Sequence, residues 1–131
     1  MQSPTSTLTE FYAAIEEGRH GKALDAFLSP DAVTIERPNL LVPGGRVSDR
    51  AAMRAASSAG ASLLEAQRYD IRWIKELDDT VAVRLTWRGT VTQASGPFAA
   101  GQELTAHIAQ FVRVDGGLIT EIETYDCYEP F

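Results

Sequence analysis

The chain has 131 residues, 44% hydrophobic and 23% charged, with a formal net charge of −6 and an isoelectric point near 4.8. That length allows one domain with a real core, and the acidic balance, with Lys and Arg scattered, excludes the basic face that nucleic acid requires. Cys127, the single cysteine, excludes an internal disulfide; with no run of transmembrane length and no apolar signal segment after Met1, a cytoplasmic protein without a membrane partner is expected.

Thr7-Leu8-Thr9-Glu10 fits a capping box, and Leu8, Phe11, Tyr12 and Ile15 then fall on one helical stripe that ends near Gly18. A short second helix is predicted from about Lys22 to Leu28, closed by Ser29-Pro30-Asp31. Ala32 to Arg37 reads as a strand closed by Pro38, and residues 39–48 as a loop. Asp49 is placed to cap a third helix running to Leu63 and Leu64.

Three strands follow, over Tyr69–Leu77, Thr80–Gln93 and Glu103–Val114, and a last one over Leu118–Cys127. In the second, Val81, Val83, Leu85 and Trp87 alternate with Arg84, Thr86, Arg88 and Thr90, which is the period of a half-buried strand. Asp115-Gly116-Gly117 between the last two segments signals a hairpin. With Val114 and Leu118 beside the turn, residues whose numbers sum to about 232 or 233 lie opposite each other. His107 then faces Asp126 or Tyr125, and a histidine opposite a carboxylate can form an acid/base pair.

Helices in the first half and an antiparallel meander in the second predict an α+β fold. This order resembles the nuclear transport factor 2-like superfamily, in its SnoaL-like and ketosteroid isomerase-like branch. The similar segments are Phe11 to Gly18, Ser29 to Ala32, Asp115 to Glu121 and Tyr125 to Phe131. The resemblance spans nearly the whole chain and implies a single SnoaL-like domain over 1–131. Its shape would be a cone-shaped barrel, with the N-terminal helices packed in the concave face of a curved, mostly antiparallel sheet.

Residue by residue, the resemblance implies a mixed site. Steroid isomerases of this fold carry a tyrosine on the first helix, matched by Tyr12, and a general-base aspartate at the end of the first strand, matched by Glu36 or, with another gap, Arg37. Their second aspartate falls at Ala109. The Asp-Arg-Asp set of limonene epoxide hydrolases falls at Trp87, Leu85 and Thr124, so neither mechanism carries over intact. Those positions imply a cavity lined by Thr34, Glu36, Leu85, Trp87, Ala109 and Thr124, with Phe111 as core or cavity wall. Strand parity then adds His107 and Asp126.

Each candidate has a plainer role. His107 could be a buried structural histidine, Glu36 an ion-pair partner of Arg37 or Arg88, Asp126 a group bonding strand-end amides, and Tyr12 core apart from its hydroxyl. No Cys/His cluster has metal spacing and no glycine-rich loop follows a strand, so neither metal nor cofactor is expected. Two functions follow. One is a cofactor-free enzyme moving protons on an apolar small molecule, as an isomerase, cyclase, dehydratase or hydrolase. Glu36 or the His107–Asp126 pair would be the base and Tyr12 the donor to an oxyanion. The other is a non-catalytic small-molecule-binding or dimerisation domain. Either would form a homodimer through the open sheet face.

Overall fold

The structure is a computed structural model and describes residues 2–131. Helix α1 spans Pro4–Glu16. It starts earlier than the capping box suggested, because Ser3 caps it: the Ser3 Oγ accepts from the Ser6 amide, and Pro4 occupies the first turn, where a missing N–H is harmless. The expected short second helix is a 3-10 segment, Gly21–Phe27, that runs directly into strand β1, Leu28–Glu36. Ser29-Pro30-Asp31 therefore lies inside a strand. The ladder is interrupted between Leu28 and Val33, the setting in which a strand tolerates proline.

The expected 39–48 loop shortens, since Arg46–Asp49 forms strand β2 antiparallel to β1. Helix α2, Arg50–Leu63, begins at Asp49, whose Oδ1 accepts from the Ala52 amide at 2.8 Å. None of its residues is fully buried. Strands β3 (Leu64–Leu77), β4 (Thr80–Val91), β5 (Glu103–Asp115) and β6 (Leu118–Tyr128) complete one six-stranded sheet in the order β2-β1-β6-β5-β4-β3. The sheet is curved and left unclosed at β2 and β3. Only β1 and β6 run parallel. Helix α1 touches β3, β4, β5 and β6, lying across the concave face.

The core forms where α1 meets that face. Leu8 is fully buried against Val81, Val83 and Leu85 of β4, Val112 of β5 and Ile119 of β6. Apolar burial of this kind supplies most of the folding free energy.

A single irregularity in β6 decides what the concave face carries. Beside the turn, Asp115 pairs with Leu118 and Val114 with Ile119, in the expected register. The ladder then shifts, so that Arg113 pairs with Glu121 and Thr120 is the extra residue of a bulge. Its hydroxyl donates to the Arg113 carbonyl at 3.3 Å. The inward positions change from odd (Ile119) to even (Ile122, Thr124). His107 consequently pairs with Cys127, and Asp126 with Ile108.

Candidate active site

Even-numbered β6 residues, Gln110 of β5, Trp87 of β4 and the ends of β1 and β2 meet in a cavity roofed by α2. It has two lobes, of about 480 Å³ and about 210 Å³. Both are bounded by Glu36, Arg46, Ala56, Gln110 and Asp126. Small residues on the inner side of α2, Ala56 and Gly60, leave the space open. A smaller space of about 180 Å³ lies between α1 and α2, beyond the same two residues, and no carboxylate lines it. Of these spaces, the two-lobed cavity is the one bordered by carboxylates, Glu36 and Asp126.

Asp126 sits at the end of a one-way chain of donors. The Tyr12 hydroxyl donates to Gln110 Oε1 at 2.5 Å, Gln110 Nε2 donates to Thr124 Oγ1 at 3.1 Å, and Thr124 Oγ1 donates to Asp126 Oδ1 at 2.5 Å. Every proton in the chain points towards the carboxyl, which fixes its rotamer and leaves Oδ2 for the cavity. Burial pushes the Asp126 carboxyl above its usual range; the Thr124 bond opposes this and the Glu36 charge reinforces it. Tyr12 stacks on Tyr69 with ring centroids 4.7 Å apart. Burial raises the hydroxyls of Tyr12, Tyr69 and Tyr128, and the Asp126 charge adds to each, so all three stay protonated as donors.

The chain makes Thr124 the most direct control on Asp126. Thr124→Val keeps the shape and removes the hydroxyl, and is expected to raise the Asp126 carboxyl further. Side-chain 13C titration reads this directly; an unmoved midpoint would mean that the hydroxyl does not hold the carboxylate.

Glu36 also faces the cavity but has a partner. Arg46 Nε and Nη2 lie 2.8 and 2.7 Å from its Oε2. The two residues are opposite each other across the β1–β2 ladder. Gly45 makes this approach possible, since its φ is +70° and a Cβ there would sit 2.8 Å from the Glu36 carbonyl. Arg37, the alternative to Glu36 in the sequence, points away and pairs with Glu123.

Several expected placements are corrected. His107 lies on the convex face with its side chain 58% exposed, and its Nε2 is 2.8 Å from Glu129. The β6 bulge removed Asp126 from that side. Ala109 and Phe111 share the His107 face by parity, and Phe111 is 44% exposed. Leu85 is sealed in the core instead of lining the cavity. Tyr12 lies behind the cavity wall, where its hydroxyl donates to Gln110 and not into the cavity. Thr34, Glu36, Thr124 and Asp126 border the smaller lobe, and Trp87 the larger, where its Nε1 donates to Gln67 at 3.0 Å. Gln110 and Arg46 were not anticipated. Among the described residues, no three His, Cys, Asp or Glu side chains converge on a point that could hold a metal ion.

A curved, unclosed sheet over helices, with a cavity at its open end, defines a class of small α+β domains. A SnoaL-like domain profile matches residues 8–122, and the chain belongs to that family. No curated protein matches the sequence. Among solved structures, it is similar to IdmH from Streptomyces antibioticus, a proposed polyketide cyclase, at 22% identity and a TM-score of 0.79, over 95% of this chain and 92% of that one. A second proposed polyketide cyclase, from Acidithiobacillus ferrooxidans, shares 21% identity at a TM-score of 0.75, over 94% of this chain and 87% of that one. A ketosteroid isomerase-like protein from Catenulispora acidiphila, solved with trimethylamine, shares 18% identity at 0.70, over 91% and 83%. At these identities the likeness establishes the fold.

Proposed function

We propose that this protein is an acid/base enzyme that moves protons on a largely apolar small molecule held between α2 and the sheet, with Asp126 as the base. The supporting observation is the Asp126 carboxyl itself. It borders both lobes, is shifted upward by burial and is oriented by three successive donors. A carboxyl moved towards neutrality and held in one rotamer is suited to accept a proton and return it. Apolar walls from Trp87, Phe98, Leu104 and Ile108 favour a hydrophobic substrate.

The step is removal of a proton from carbon next to a carbonyl. The C–H electron pair becomes part of the new double bond and the carbonyl oxygen takes the negative charge. Returning the proton to another carbon isomerises the molecule; attack of the carbanion on a second carbonyl closes a ring, and the oxygen of that carbonyl, which receives its π electrons, takes the proton back from Asp126. The polyketide cyclases proposed among the structural relatives favour the second outcome. Exchange of α-hydrogens in deuterium oxide, followed by NMR over a panel of cyclic ketones and β-diketones, tests this. Wild-type protein should exchange at least one of them and Asp126→Asn far more slowly; binding without exchange in either would leave a non-catalytic binding domain.

The convex face supports a homodimer. Trp73, Phe111 and Tyr125 are each nearly half exposed there, with Phe111 and Tyr125 in edge-on contact. Arg84, Thr86 and His107 surround a shallow concavity of about 630 Å³ beside them. A second copy would cover this apolar patch under a polar rim. Light scattering should give twice the chain mass, and Phe111→Glu should halve it; a wild-type monomer would end this assignment. The unpaired Cys127 fits a reducing cytoplasm. No helix among the described residues is long and apolar enough to cross a membrane.

A further inference from the structure

We propose that Arg46 is the residue that reads the substrate, donating from its outer guanidinium edge to a substrate oxygen that is, or becomes, negatively charged. Three observations carry this. Arg46 is the one Lys, Arg or His that lines either lobe of the cavity, and it lines both. Its two bonds to Glu36 use Nε and Nη2 and fall on the same oxygen, Oε2, so the Nη1 end of the fork is left over. Glu36 is only 17% exposed while Arg46 is 50% exposed, so the carboxylate anchors from behind and the guanidinium faces open space.

This geometry is a prepared donor. A guanidinium is planar and its two edges point in fixed directions. With one edge locked on Glu36, the other is oriented before any ligand arrives, and no rotamer search is needed on binding. Glu36 also neutralises much of the positive charge. The pair still favours an ionised oxygen over a neutral one, and charge that develops beside the fork is stabilised in the same way. Asp126 borders the same space, so a ligand oxygen on Arg46 holds its neighbouring carbon near the base. The substrate class is thus an apolar ring or chain with an enolisable carbonyl or a phenol-like oxygen at one end. The tyrosines fit the arrangement: Tyr12 lies behind the wall, committed to Gln110, and burial keeps Tyr69 and Tyr128, which border the larger lobe, as neutral hydroxyls, leaving Arg46 as the ionic donor.

This assignment rests on the acid/base reading of Asp126 for the direction of the charge, and it is tested separately with 4-nitrophenol, whose ionised form absorbs in the visible. Wild-type protein should bind the phenolate at least about tenfold more tightly than the neutral phenol, so that bound dye is more ionised than free dye at one pH. Arg46→Met should lose that preference, and Arg46→Lys should keep part of it, since it retains the charge without the fork. Thermal melting confirms that each variant is folded; should Arg46→Met unfold, Arg46→Lys with a weakened preference carries the same test. An unchanged phenolate fraction in Arg46→Met, or no binding of 4-nitrophenol to wild type at millimolar concentration, overturns the assignment. Hydrogen exchange present with a preference independent of Arg46 removes this assignment and leaves Asp126 as base. A preference that follows Arg46 with no exchange does the reverse, marking Arg46 as the oxygen site of a binding protein.

Discussion

Asp126→Asn is expected to lower the rate of α-hydrogen exchange by about 10²–10⁴-fold, the usual contribution of a positioned general base. The change should fall on kcat, because Asn keeps the size of the side chain and its Oδ1 can still accept from Thr124. The same substitution has a stability consequence of the opposite sign. The folded protein holds the Asp126 proton more tightly than the unfolded chain, because burial raises the carboxyl. Stability from that proton is present below the ordinary aspartate range and is lost as pH rises through the elevated folded value. At neutral pH the ionised, half-buried carboxylate is therefore a burden that Asn removes. The variant should melt above wild type near pH 7, and the two curves should converge in acid. Parallel melting across the range would mean that Asp126 is not shifted, and unchanged exchange would remove it from catalysis.

Leu8→Ala should have the largest effect on stability. Leu8 is fully buried and fastens α1 to the middle of the sheet. Removing a buried leucine typically costs about 2–5 kcal/mol, transfer and cavity together, and a domain of this size has about 5–15 kcal/mol in total. Urea unfolding should show a lower midpoint at unchanged slope. Val47→Ala, at a position 71% exposed on the edge strand, is the matched control and should move stability by less than about 0.5 kcal/mol. Comparable losses at both positions would mean that α1 is not the anchor of the core.

What the sequence disclosed follows from how local each signal is. The alternation in β4 is uninterrupted from Val81 to Trp87, so its faces were readable, and Asp49 ahead of an alanine-rich run gave the start of α2. Strand β2 is four residues long, and its burial pattern has too few repeats to show a period. The parallel pairing of β1 with β6 joins segments some ninety residues apart, and nothing local marks it. Glu36, Trp87, Thr34 and Thr124 were placed at the cavity by the family pattern, and Asp126 by strand parity from Thr124; all five border it. His107 and Gln110 exchanged roles through a single extra residue: period-two reading has no memory of a bulge, so with Thr124 and Asp126 turned inward it turned their expected β5 partners, Ala109 and His107, inward as well. Two buried isoleucines three apart, Ile119 and Ile122, are the trace of that bulge in the sequence, since a regular strand would turn one of them outward. Arg46 had no signal of its own; its place depends on the Gly45 turn bringing β2 back over Glu36.

The bulge at Thr120 also sets a break in register between the hairpin tip and the part of β6 that carries Asp126. Leu118 and Ile119 keep the register set by the turn, and the residues from Glu121 onward pair with β1 and β5 in the shifted one. A strand with one slack residue can take up a small change of length or twist at its tip without passing it on. The Asp115–Leu118 turn, exposed at Gly116 and remote from the cavity lining, is therefore the place on this chain where a label or short peptide can be grafted while the site keeps its geometry.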